Sequence, residues 1–193
     1  MTGLRARPRF ALGGGSVRRA SISAIVVALV ALASCGGTSA ASGGPGPRVE
    51  SQCVPFARAV AGVPIYGNAA DWWKAAAGRY ARSETPQVGS VLVFRRTVRL
   101  PYGHVAVVSQ VLSSRRILLT HANWVPNHVN QDVLSIDVSP NNDWSQVKVW
   151  WPPLRQMGAA AYAAYGFIHA SQPLQPDDIA ANAKRFITVA TRN

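Results

Sequence analysis

Between Ser90 and Trp124 the chain carries three apolar runs in close succession. They are Ser90-Val91-Leu92-Val93-Phe94, Gly103-His104-Val105-Ala106-Val107-Val108-Ser109, and Arg116-Ile117-Leu118-Leu119-Thr120-His121-Ala122-Asn123-Trp124. Short, rich in branched residues and bounded by turn formers, they read as consecutive strands. Val133 to Val138, Val147 to Trp150 and Tyr165 to Ile168 continue the pattern. Ahead of Pro86 and Gly89 the periodicity is different. Ser51 to Ala61 suits a helix closed by Gly62, and Ala69 to Ala77 a second one stopped by Gly78. Helices first and strands afterwards give an α+β domain, its N-terminal helices packed on an antiparallel sheet. After a break at Pro173 to Pro176, a last helix is expected over Asp177 to Ala190. It carries Ile179, Ala183, Phe186, Ile187 and Ala190 on one face, suited to packing on the domain or to a membrane surface.

The first 34 residues have a different character. Arg5, Arg7, Arg9, Arg18 and Arg19 precede the apolar stretch Ile22 to Leu32, which is short for a membrane span. A basic region, a short apolar region and then small residues form the layout of a bacterial export signal. Arg18-Arg19 alone matches a twin-arginine signal poorly. Gly36 to Pro47 reads as a flexible tether. The expected organisation is an export signal over 1–34, a tether over 35–48, a globular domain over 49–170 and a helical extension over 171–193. The formal charge of +12 does not indicate nucleic-acid binding: five of the 20 Lys+Arg residues belong to the signal, and the remaining 15 face 8 acidic residues without forming a dense block.

Two cysteines are present, Cys35 and Cys53. Cys53 falls at the first turn of the first helix, with Ser51 as the expected N-cap. Free N–H groups and the helix dipole there favour the thiolate. A buried structural cysteine would fit the same octapeptide, and a Cys35–Cys53 disulfide is a further alternative. A lone thiol outside the cytoplasm is a liability unless it does chemistry. A catalytic thiolate needs a base, and the base needs an orienting partner. His104 opens one strand and Asn123 ends its neighbour, so a hairpin through Leu112 to Arg115 would bring them together. An asparagine oxygen accepting from one ring N–H leaves the other ring nitrogen for the thiol.

The blocks Gln52-Cys53, Gly67-Asn68-Ala69 with Trp72, Pro86-Gln87-Val88-Gly89-Ser90-Val91, Gly103-His104-Val105-Ala106-Val107-Val108 and Asn123-Trp124 resemble, in order and spacing, the CHAP domain. This is the family of cysteine- and histidine-dependent amidohydrolases/peptidases. The resemblance covers about residues 50 to 125. It implies a papain-like fold and cleavage of amide bonds in bacterial cell-wall peptidoglycan. It makes Cys53 the nucleophile, His104 the base and later acid, and Asn123 the residue that orients the imidazole. No cofactor is implied. Many members have a glutamate two residues before the asparagine, where this chain has His121. Residues two apart on a strand face the same way, so His121 is an auxiliary candidate, as is Gln52. Non-catalytic wall binding and hydrolysis of a small peptide-like metabolite are the alternative functions.

Leu32-Ala33-Ser34-Cys35 likewise resembles the lipobox of bacterial lipoproteins, which implies lipidation of Cys35. The expected location is the cell envelope, membrane-anchored through that lipid or otherwise secreted, with peptidoglycan as partner. Trp124 and Trp72 are candidates to line the cleft and contact substrate. Asp137 and Asp143 are either substrate contacts or turn and strand-end residues. His121, His128 and His169 have no compact metal-ligand spacing.

Overall fold

The structure, a computed structural model, describes residues 44–192. The export signal, Cys35 and most of the tether lie outside the described residues.

Helix α1 (Cys53–Ala61) starts one residue later than the expected cap implies. Gln52, with extended backbone, is the N-cap, and Ser51 Oγ donates to the Gln52 carbonyl at 3.4 Å. Gly62 closes the helix in the left-handed conformation (φ 66°), its N–H donating to the Arg58 carbonyl. A 3₁₀ turn, Ala69–Asp71, leads into the short α2 (Trp72–Ala75). Eight strands follow: β1 (Arg82–Ser83), β2 (Val91–Phe94), β3 (His104–Ser113), β4 (Arg116–Ala122), β5 (Val129–Asp137), β6 (Gln146–Trp151), β7 (Gln156–Met157) and β8 (Tyr162–Ile168). Helix α3 (Pro176–Ala190) comes last.

The domain is α+β with an antiparallel sheet, and that sheet closes on itself. Strands β8, β2, β3, β4, β5 and β6 are bonded in that order, and β6 pairs back onto β8 through Gln146–Ala163 and Val147–Tyr162. Closure removes the free edges of these strands. The two-residue strands β1 and β7 are added on β8 and β6.

The unbroken apolar runs in β2 and β3 follow from burial on both faces. Leu92, Phe94, Ala106, Val108, Ile117, Leu119, Val133, Val147 and Phe167 fill the barrel interior. The alternate residues Val91, Val93, Val105 and Val107 form a second core with Phe56 and Val60 of α1, Trp72 of α2, and Ile179 and Ala183 of α3. Phe56 and Phe186 meet edge to face at 5.2 Å, and Asn182 Nδ2 donates to the Val60 carbonyl at 3.1 Å. The face named on the last helix is thus the one in contact with the domain. Just before α1, the chain lies along the start of β5: Val49 N–H donates to the Asn127 carbonyl (2.8 Å) and Val129 N–H to that of Pro47 (3.0 Å). Among the described residues no helix is long and apolar enough to cross a membrane.

Candidate active site

Cys53 is the first residue of α1 and is partly exposed. It lines a cavity of about 530 Å³ together with Gln52, Asn68, Arg99, His104 and Asn123. Expectation and structure part over its acidity. Burial pushes the thiol above its ordinary value, against the opposing pull of the backbone N–H groups of Val105, Val54 and Cys53 itself. The β3 backbone first, and then the helix start, therefore moderate the cost of the thiolate without reversing it.

His104 enters the same cavity from the first position of β3. The turn before it depends on Gly103, whose φ is 73°. A Cβ there would lie 2.6 Å from the Cβ of Ala70 and 2.8 Å from the carbonyl oxygen of Phe94. His104 has the parity of Ala106 and Val108 and so sits at the mouth of the barrel interior, only 4% exposed. With little water to solvate an imidazolium, burial brings it down to about 3.

The partner of this ring differs from the expected one. His104 Nε2 lies 3.1 Å from Nδ1 of His121, which is fully buried. Asn123 is turned away. Strand β4 ends at Ala122, and Asn123 takes φ 62°, so the two-residue alternation that would have aligned it with His121 is broken. Its Nδ2 donates to Gln52 Oε1 (2.8 Å) and its Oδ1 accepts from the Asn127 N–H (2.9 Å). Asn123 thus ties the residue before the thiol to the β4–β5 loop, while His121 holds the imidazole.

The tautomers follow from one requirement. For His104 Nδ1 to accept a proton, Nε2 must carry one and donate it to His121 Nδ1. The proton of His121 is then on Nε2, an atom buried without a partner. Both rings are held neutral, His121 by burial and by its neighbour His104. Trp124 stacks on His121 (5.5 Å between centroids, 18° between planes) and lies 5.2 Å from the ring of His104.

The other expected residues separate. Trp124 lines a neighbouring cavity of about 310 Å³ with Trp151, Leu154, Tyr162 and Arg99, rather than the one that holds Cys53. Trp72 is a correction: it is fully buried in the outer core and is closed off from any substrate. Asp137 is also buried, accepting from Arg115 Nη1 (3.3 Å) and from the Ser139 N–H (2.8 Å). Asp143 caps the Ser145 N–H at 3.0 Å. Both serve turns. His128 Nδ1 bonds the Pro126 carbonyl and His169 Nε2 the Ser83 hydroxyl, in separate places. Among the described residues no three His, Cys, Asp or Glu side chains converge as metal ligands. Arg99, in the β2–β3 loop, carries no sequence signal and was found only through the cavities it lines.

Fold and cavity thus define a closed-barrel α+β domain with a thiol and an imidazole at one opening. A family model for the CHAP domain matches residues 42–123, a span that takes in Cys53, His104, His121 and Asn123. The CHAP domain is that of cysteine- and histidine-dependent amidohydrolases and peptidases, many of them concerned with cell walls. No curated protein matches the chain.

Proposed function

We propose that the chain is a CHAP-type, papain-like cysteine amide hydrolase acting on bacterial cell-wall peptidoglycan, exported and held at the envelope by a lipid on Cys35. The observation that carries this reading is the single cavity lined by Cys53 and His104, with the far ring nitrogen of His104 already engaged by His121.

The resting pair is neutral, because burial raises the thiol and lowers the imidazole. Proton transfer therefore accompanies attack. His104 Nδ1 takes the proton as Cys53 Sγ adds to the amide carbon. The backbone N–H of Cys53 at the open helix end faces the charge that develops on the carbonyl oxygen. The imidazolium, still donating through Nε2 to His121, returns the proton to the leaving amine. Water, deprotonated by the same ring, then releases the acyl group from sulfur. Throughout this cycle His121 Nδ1 only accepts, and Asn123 holds Gln52 beside the nucleophile.

Mass spectrometry of peptidoglycan fragments incubated with the full-length chain tests the proposal. New amine and carboxyl ends should appear, and Cys53→Ala should abolish them. Equal product from the variant would refute the mechanism.

A further inference from the structure

Three cavities share one lining residue. Arg99 lines the cavity of Cys53 and His104, the aromatic one of Trp124 and Tyr162, and a third of about 470 Å³ bounded by Val98 and Ala161. Among the described residues Arg99 is also the only one with a formal charge in the lining of any of them, and none of those lining residues is a carboxylate. The neighbouring Arg96 is neutralised by Asp71 at 2.6 Å, whereas among the described residues no carboxylate pairs with Arg99. An unneutralised arginine in the lining of the nucleophile's cavity, shared with the adjoining cavity of Trp124 and Tyr162, is suited to receive an anion on an otherwise uncharged substrate.

Resting on the hydrolase reading above, we propose that Arg99 is a specificity residue that binds a carboxylate of the peptide substrate, next to the amide bond that Cys53 attacks. The acid-free lining gives this choice a sign, since a cationic side chain at the same substrate position would meet Arg99 with nothing to offset it. Arg99 is exposed, so its contribution is screened by salt and is read in binding more than in turnover.

The test uses a soluble peptidoglycan stem peptide with free carboxylates and the same peptide with those carboxylates converted to amides. The full-length wild type should cleave the free-acid form with kcat/KM roughly tenfold above the amidated one, the lower end for a hydrogen bond to a charged group. Arg99→Gln should remove the preference through KM, Arg99→Lys should keep part of it, and added salt should shrink it. An unchanged ratio in Arg99→Gln overturns the inference. Binding of both peptides to Cys53→Ala, with and without Arg99→Gln, reads the same preference without turnover. Retained preference there with no hydrolysis by wild type would refute the hydrolase reading alone. Equal binding of the two peptides would overturn the role of Arg99 even in an active enzyme.

Discussion

His104 and His121 are joined nitrogen to nitrogen at 3.1 Å with their rings crossed at 74°, and both are buried. A carboxylate in the place of His121 would stabilise an imidazolium by charge, and neutral imidazole does so only by accepting a hydrogen bond. The pair therefore fixes the orientation of His104 more than it raises its basicity. This differs from a triad in which orientation and charge come from one group.

The first consequence concerns which neighbour matters. His121→Ala removes the acceptor for His104 Nε2 and the ring stacked on Trp124. We expect kcat to fall about 100-fold with KM little changed, on the scale of a lost positioning contact. The pH dependence of kcat should also shift, which a merely structural loss would not produce. Asn123→Ala loosens Gln52 and the β4–β5 loop and should lower kcat by about tenfold or less. Steady-state kinetics on one substrate ranks them. A larger loss in Asn123→Ala would return the orienting role to the asparagine.

Stability should depend on pH through the same pair. Unfolded histidines titrate near 6.5, whereas His104 in the fold is held at about 3 and His121 is also lowered. Below 6.5 the unfolded chain binds more protons, so the stabilisation is complete above that value and is lost as pH falls towards the folded one. One such histidine accounts for about 2 kcal/mol between pH 7 and pH 5. Urea midpoints across that range should fall with acid, and His121→Phe should flatten the slope. Half-buried His169, lowered by the same cause, adds to the slope in both proteins.

Alkylation of Cys53 tests the resting state of the nucleophile. Burial holds the thiol above its ordinary value, so the rate with a small uncharged reagent should climb through the alkaline range, with no plateau below neutrality. His104→Ala should leave that alkaline limb in place. A fast reaction at pH 5 in the wild type would instead reveal a thiolate–imidazolium pair.

How much of this was legible in the sequence follows the kind of signal involved. The apolar runs of β2, β3 and β4 gave strands because both of their faces are buried, and Gly62 marked a helix end because left-handed backbone selects glycine. The single helix expected over Ala69 to Ala77 is instead a 3₁₀ turn and a helix that ends at Ala75, so Gly78, though left-handed, lies beyond the helix end in the following turn. The placement of Cys53 at a helix tip and of His104 at a strand start was readable from pattern, and the two line one cavity. Closure of the barrel was not readable, because it requires β8 to pair both with nearby β6 and with β2, far earlier in the chain, a combination that no local pattern specifies. Asn123 and His121 exchanged places because the alternation rule holds only inside a strand and β4 ends between them. Trp72 could not be placed, since a tryptophan in a core and one in a cleft look the same in sequence. Arg99 sits in a loop, where pattern carries no information about what surrounds a side chain.

Gly103 offers a last test, because it couples the fold to the position of His104. Its left-handed backbone alone would disfavour alanine by about 1–2 kcal/mol. The contacts at 2.6 Å and 2.8 Å with Ala70 and Phe94 must in addition be relieved by moving the turn. Gly62 separates the two effects, since it has a similar φ of 66° but nothing within 4 Å of a Cβ. Gly62→Ala should therefore lower stability by about 1 kcal/mol and leave kcat intact. Gly103→Ala should cost about 2 kcal/mol or more and also lower kcat, because relief of the clash shifts the strand start that carries His104. Urea unfolding read beside kcat for both variants decides it. If Gly103→Ala lost only stability, the turn would be a folding requirement with no part in placing the imidazole.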